Sequence, residues 1–159
     1  ERCPVSTTTT RGTVFNLGLE HSRGHVVKAL LEGVAFNLRW IFENYQRDFG
    51  FRPTKIRAIG GGSVNVNWMQ GIADIIGLPV ETITQPTMAG ALGAASCVLT
   101  GSGVFKEFND VNQFIEVKDR YMPDPSLGGI YGKLFQSYKH IYSGLKKAYI
   151  EANFDRFNR

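Results

Sequence analysis

The feature that most constrains the fold of this chain is a short strand-like segment that runs directly into three consecutive glycines. Residues 55–59 have the pattern of a buried strand, and the glycines 60–62 follow at once. Residues 67–76 then have the pattern of a helix, which Gly77 ends, and residues 78–83 predict a second strand. A strand, helix and strand in this order predict an α/β layer with a parallel pair of strands.

The glycine loop is the strongest candidate for a binding site, and it contains Gly60, Gly61 and Gly62. Without side chains the backbone can adopt positive φ angles and approach a ligand closely. A helix cap at Asn67 would leave the side-chain amide of Asn65 in the loop, where it could bind a sugar or a base. The alternative is a tight turn without a ligand, and spacing alone does not separate the two. The loop is neither G-x-G-x-x-G nor a P-loop, so it supports neither standard dinucleotide nor Walker-type binding.

The segments around this unit predict further elements. Apolar residues recur every three or four positions over residues 25–45 and predict a helix, and residues 12–19 predict a short strand. Residues 89–95 belong to a helix rich in small side chains. Such a helix allows dense packing against a sheet, or it can line a nucleotide cleft or a hinge.

A polar connection over residues 105–126 leads to a last helix at about residues 127–152. Aromatic residues recur along one face of this helix: Tyr131, Phe135, Tyr138, Tyr142 and Tyr149. We expect this face to dock on its own domain. With the neighbouring lysines, it could instead bind a partner or stack nucleobases.

Composition and charge restrict the class of protein. The 159 residues are 43% hydrophobic and 20% charged, which is typical of one folded domain and argues against disorder. The formal charge of +4 is small and dispersed, so we expect no nucleic-acid partner. No apolar run is long enough to span a membrane, and no secretion signal is visible. With only two cysteines, a reducing cytoplasm is the simplest expectation for its location.

No residue has the pattern of a catalytic or metal-binding group. His21 and His25 form H-x-x-x-H, but no glutamate follows His21 and no third ligand is apparent, so we interpret them as a structural pair. Cys3 and Cys97 have no metal-type spacing, and nothing marks either thiol as activated. We see no Ser-His-Asp arrangement and no paired carboxylates.

Three segments carry a resemblance to a known family. They occur in the order RGTVFNLGLEHSRGHVVKALLEGVAF, AIGGGSVNVNWMQGIADIIGLPV and MAGALGAASCVLTGSG. Together they resemble the C-terminal domain of FGGY-family carbohydrate kinases, most of all its xylulokinase-like members, over about residues 1–104. Asn16 departs from the family pattern, which usually has glycine there, and so does Leu30.

The resemblance implies an actin-like, ribonuclease H-like fold of two domains, with ATP and Mg²⁺ in the cleft between them. It implies that Gly61, Gly62 and Asn65, in the loop that begins at Gly60, hold the adenine and ribose. Residues 89–95 would support the cleft near the hinge. The sugar, most simply D-xylulose, would bind mainly to an N-terminal domain that this chain lacks, and such kinases often form homodimers.

The resemblance also implies that the catalytic parts lie outside this chain. The Asp-Gly-Thr phosphate turn, the aspartate that deprotonates the sugar and the Gly-Thr phosphate segment are all missing from it. We therefore expect residues 1–159 to be a partial C-terminal domain that binds adenine nucleotide weakly and has no kinase activity. The alternative is a non-catalytic interaction module that uses the aromatic, lysine-bearing last helix.

Overall fold

A computed structural model describes residues 4–5 and 7–153 of the chain. Its helices and strands, in chain order, are α1 (Arg23–Phe49), β1 (Ile56–Ala58), α2 (Val66–Ile76), β2 (Val80–Ile83), α3 (Ala89–Gly101), β3 (Val117–Tyr121) and α4 (Gly128–Asn153). The chain divides into two compact units. One contains residues up to Arg52, Asp74–Ile76 and residues from Asp124 onward, and the other contains Pro53–Ala73 and Gly77–Pro123.

The second unit contains a three-stranded sheet in the order β1-β2-β3. β1 and β2 are parallel, with Ile56 opposite Val80, which confirms the predicted parallel pair. β3 pairs with β2 in the antiparallel direction and lies within the segment that we expected to be a polar connection. That expectation was wrong because β3 carries exposed charged residues, and its pairing with β2 is not visible in the local sequence.

A buried carboxylate joins the three strands. Glu81 on β2 is 1% exposed and lies opposite Arg57 on β1 and Arg120 on β3. Its oxygens lie 2.7 Å from Arg120 Nη2, 3.0 Å from Lys55 Nζ and 3.5 Å from Arg57 Nη2. The hydrogen bond from Lys55, and after it the bond from Arg120, holds the pKa of Glu81 below its ordinary value, although burial acts in the opposite direction.

The helix between the parallel strands ends where the sequence predicted. The backbone N–H of Gly77 donates to the carbonyl of Ala73 at 2.8 Å, and Gly77 has φ 79°, a left-handed conformation typical of a helix C-cap. The buried apolar residues of this unit are Met69, Ile72, Ala73, Val80, Ile83 and Phe105. These residues form the core that supports the sheet.

In the first unit, α1 and α4 pack through aromatic side chains. Phe135 is fully buried and stacks on Phe36 with ring centroids 6.1 Å apart, and Trp40 contacts the rings of Tyr138 and Tyr142. The prediction that the aromatic face of the last helix docks on its own domain is therefore confirmed. In the described part of the chain, no helix is long and apolar enough to cross a membrane.

Polar contacts border this aromatic layer. Tyr131 Oη donates to Glu32 Oε1 at 3.0 Å, and Lys139 Nζ lies 3.1 Å from Glu43 Oε2. Burial, followed by the hydrogen bond to Glu32, raises the pKa of Tyr131 to about 12. Arg39 lies over the ring of Phe135 and donates to the carbonyl of Ile75 at 2.9 Å, so its charge remains paired where it is partly buried.

The predicted strand at residues 12–19 is wrong. None of these residues pairs in a described sheet, and most of them are exposed. Thr13 instead hydrogen-bonds the hydroxyl of Tyr149 on α4. Asn16 has φ 60°, in the left-handed region where glycine and asparagine are favoured. This conformation accounts for asparagine at a position where the resembling family usually has glycine.

Candidate functional site

The glycine loop leaves β1 in a conformation that requires its first glycine. Gly60 has φ 83° and ψ 178°, which L side chains rarely adopt. Its N–H donates to the carbonyl of Pro86 at 2.7 Å, and its own carbonyl accepts from Ser63 Oγ at 2.7 Å. A short 3₁₀ turn, Gly61–Val64, then leads into α2. The N–H and the carbonyl of Gly60 are therefore both hydrogen-bonded.

The segments that follow β1 and β2 meet at one edge of the sheet. Because β1 and β2 are parallel, their carboxyl ends lie on the same side, and the bond from Gly60 to Pro86 joins the segments that follow them. Ligands of α/β sheets bind in the crevices outside the carboxyl ends of the strands. The loop occupies the position where such a ligand would bind.

The three glycines meet different surroundings. A Cβ added at Gly60 or Gly61 would meet nothing within 4 Å, whereas one at Gly62 would lie 2.7 Å from Cζ3 of Trp68. The backbone at Gly61 is thus open to a ligand, while the backbone at Gly62 is covered by an indole ring. Exposed apolar side chains flank the loop in sequence, at Ile59, Val64 and Val66.

The predicted cap at Asn67 is wrong, and Asn65 caps the helix instead. Oδ1 of Asn65 accepts from the backbone N–H of Trp68 at 3.1 Å, so α2 begins at Val66. The described residues offer no acceptor to its side-chain Nδ2, which leaves two N–H donors at the mouth of the loop. Asn65 can therefore cap the helix and still donate to a ligand, and its role toward a nucleotide stays a prediction.

Ser63 is a site residue that the sequence did not single out. It is 5% exposed, and both its hydroxyl and its backbone N–H donate to the carbonyl of Gly60. Serine is common in turns because its hydroxyl can bond to nearby backbone groups, and this is the signal that was available.

The small-residue helix presents its small side chains to solvent. Gly90, Gly93 and Ala94 on α3 are exposed, so dense packing within the unit does not explain them, and that interpretation is wrong for these residues. A groove of about 530 Å³ runs along α3, lined by Ile83, Met88, Leu92, Ala95, Phe114 and Glu116 among others. The expected role of residues 89–95 beside a cleft or hinge stays a prediction.

The histidine pair has a structural role. Nδ1 of His21 accepts from the N–H of Gly18 at 2.9 Å, and Nδ1 of His25 accepts from the N–H of Ser22 at 3.0 Å. The two rings contact each other edge to face, with centroids 5.7 Å apart. The described residues contain no group of three or more His, Cys, Asp or Glu side chains placed to hold a metal ion. Cys97 is an exposed free thiol, and Cys3 lies outside the described residues.

The loop combines an open backbone with apolar side chains and a side-chain amide. The backbone at Gly61 is open, apolar side chains flank it, and the amide of Asn65 is a donor for a ring nitrogen or a ribose oxygen. None of the positions 60–65 is charged, so the loop itself provides no cation for phosphate. The predicted role of Gly60, Gly61, Gly62 and Asn65 toward adenosine stays a prediction.

The aromatic face of α4 is occupied. Tyr131 and Phe135 are buried, and Tyr138 and Tyr142 contact rings on α1. This packing contradicts the alternative in which that face is a docking surface for a partner.

Comparison with known proteins identifies the family of the chain. The profile of the "FGGY family of carbohydrate kinases, C-terminal domain" matches residues 1–100. The xylulose kinase of Bacillus subtilis is 32% identical over 147 residues, 92% of this chain and 29% of that protein. Glycerol kinase 1 of Thermotoga maritima is 34% identical over 113 residues, 71% of this chain and 23% of that protein.

Solved structures extend the agreement to the fold. The structure of ligand-bound xylulose kinase from Lactobacillus acidophilus superposes with a TM-score of 0.82 at 27% identity, covering 93% of this chain and 30% of that one. The chain thus spans less than a third of the length of these relatives. The actin-like, ribonuclease H-like fold expected of it is confirmed. With more than half of its residues matched by the family profile, the chain belongs to the FGGY family of carbohydrate kinases.

Proposed function

We propose that this chain supplies the adenosine-binding part of a kinase that transfers phosphate from ATP to a ketose or polyol. The observation that carries the proposal is the glycine loop at the carboxyl end of β1. Gly60 fixes its turn, Gly61 leaves an open backbone, and the side-chain amide of Asn65, at the end of the loop, keeps its N–H donors available. These groups would hold the adenine and ribose.

The transfer itself requires groups that the chain does not provide. Phosphoryl transfer depends on positioning and on metal and cationic stabilisation of the γ-phosphate, which Mg²⁺ supplies when it is bound with ATP. A kinase also needs a general base for the sugar hydroxyl, and no residue of this chain has that arrangement. We therefore propose that the 159-residue chain binds adenine nucleotides weakly and phosphorylates no sugar by itself.

D-xylulose is the proposed sugar of the complete kinase. Xylulose kinases are among the relatives in both sequence and structure, at 32% and 27% identity. Glycerol kinases and a gluconokinase from Bacillus licheniformis match too, the latter at 28% identity, so the family likeness alone supports a sugar or polyol substrate. We propose xylulose because the chain as a whole resembles xylulose kinases in sequence and in structure.

Calorimetric titration of the chain with adenosine, ADP and pyrophosphate tests the loop. Because the loop lacks charged groups, we expect adenosine and ADP to bind with similar affinity and pyrophosphate not to bind. Gly61→Leu should abolish binding because it fills the open space, whereas Gly129→Leu, at an exposed and equally open glycine of α4, should leave it unchanged.

Two changes at Asn65 separate capping from ligand binding. Asn65→Ser keeps an oxygen that can cap α2 but removes the NH₂ group, while Asn65→Ala removes both. We expect both variants to bind ADP about tenfold more weakly, as for the loss of one well-placed hydrogen bond. Equal affinities in wild type, Asn65→Ser and Gly61→Leu would overturn the assignment of the loop, and sugar phosphorylation by the chain would overturn its proposed inactivity.

A further inference from the structure

The indole of Trp68 occupies the space that a side chain at Gly62 would need. Three ring atoms lie within 4 Å of the position of an added Cβ, at 2.7 Å for Cζ3, 3.5 Å for Cε3 and 3.6 Å for Cη2. Real Cβ contacts are essentially never shorter than 3.0 Å. A side chain at position 62 would therefore force the ring to shift, whereas at position 60 it is the backbone angle that favours glycine.

Trp68 and the loop are also joined through hydrogen bonds. The N–H of Asn65 donates to the carbonyl of Gly62 at 3.2 Å, and the N–H of Trp68 donates to Oδ1 of Asn65 at 3.1 Å. The ring of Trp68 lies against Gly62, so Gly62, Asn65 and Trp68 each contact the other two. Trp68 therefore contacts Gly62 through its ring and Asn65 through its backbone N–H.

We propose that Trp68 is a positioning residue for nucleotide binding, an inference that rests on the proposed function. Its large, rigid ring packs on the backbone at Gly62 and so supports the neighbouring backbone of Gly61 before the ligand arrives, while its N–H holds Oδ1 of Asn65. The three glycines thus differ in role. Gly60 makes the turn, Gly61 leaves room for the ligand, and Gly62 leaves room for Trp68.

A double-mutant cycle with Gly62→Ala and Trp68→Leu tests the positioning role of Trp68. The affinity for ADP is measured in each variant by titration calorimetry. We expect each single change to weaken ADP binding about tenfold, since a loop that has lost its support no longer orients the ligand. In the Trp68→Leu background, Gly62→Ala should cause no further loss, because the ring it would strike is gone. Trp68→Phe, which keeps an aromatic ring, should retain affinity within about threefold of wild type.

Trp40→Leu is the matched control. Trp40 packs on Tyr138 and Tyr142 in the other unit, so its loss should lower the unfolding temperature without changing ADP affinity. Because the chain has two tryptophans, this variant also leaves Trp68 as the only tryptophan, which can be excited selectively over the tyrosines. We expect its fluorescence to change on ADP binding.

The outcomes separate the inference from the proposed function. A wild-type chain without measurable affinity for adenosine or ADP overturns the proposed function, and the inference with it. If wild type binds ADP, then additive losses in the cycle, or a folded Trp68→Leu variant with wild-type affinity, overturn the role of Trp68 alone. Where Trp68→Leu does not fold by circular dichroism, wild-type affinity in Gly62→Ala overturns it instead.

Discussion

Asn65 caps helix α2 by accepting a hydrogen bond from the backbone N–H of Trp68, 3.1 Å from its Oδ1. Loss of an N-cap oxygen costs about 1 kcal/mol. We therefore expect Asn65→Ala to lower the free energy of unfolding by about that amount in urea denaturation, and Asn65→Ser to lower it by less than half as much. Equal losses in the two variants would show that the side-chain oxygen does not cap the helix.

The left-handed backbone of Gly60 predicts a difference between neighbouring glycines. Gly60→Ala forces a Cβ into φ 83° and should cost about 1–2 kcal/mol of unfolding free energy. Gly61→Ala meets open space without a left-handed backbone and should change stability by less than about 0.5 kcal/mol. The same urea experiment compares them, and a Gly60→Ala variant as stable as Gly61→Ala would contradict the described loop.

The buried carboxylate of Glu81 predicts a loss of stability in acid. Its pKa is lowered in the folded chain, so its stabilising contribution is present above the unfolded pKa and is lost as pH falls through the lower, folded value. Glu81→Gln should lose about 2 kcal/mol at neutral pH, because Lys55, Arg57 and Arg120 then face each other without a counter-charge.

Thermal unfolding of wild type and Glu81→Gln between neutral and acidic pH measures this contribution. The difference between the two should shrink as pH falls. A difference that stays constant down to the acid limit would mean that the carboxylate contributes through packing alone.

Tyr131 should titrate later than an ordinary tyrosine. Its pKa is raised to about 12 by burial and by its hydrogen bond to Glu32. The contribution of this raised pKa is complete below the unfolded value of 10.0 and is lost as pH rises toward 12. The difference in tyrosinate absorbance between wild type and Tyr131→Phe should therefore be centred near pH 12, and a difference centred near 10 would contradict the burial.

Local sequence was sufficient for the elements whose signals are local. The strand before Gly60, the C-cap at Gly77 and the periodic aromatic residues of α4 each lie within a few residues of the structure they specify. The strand is less buried than predicted, since Arg57 and Ile59 are exposed. The parallel pair followed from the order of the elements, and the family resemblance added the prediction that the loop binds a nucleotide. The resemblance also marked Asn16, whose left-handed backbone explains the departure.

Features that depend on contacts between residues far apart in the sequence could not be predicted from local patterns. β3 is defined by its pairing with β2, some forty residues earlier in the chain. The buried Glu81 is paired with cations that come from the segments of β1 and β3 on either side of it. The choice between Asn65 and Asn67 as helix cap depended on the turn at Ser63, since both asparagines are good N-caps by type.

Backbone amide spectra of the isotope-labelled chain, recorded during titration with ADP, test adenosine binding by the glycine loop most directly. We expect the resonances of Gly60, Gly61 and Gly62, and the side-chain amide of Asn65, to shift in a saturable manner. The amides of Gly128 and Gly129 on α4 should not move. Saturable shifts elsewhere without any at the loop, or no saturable shifts at all, would contradict the account.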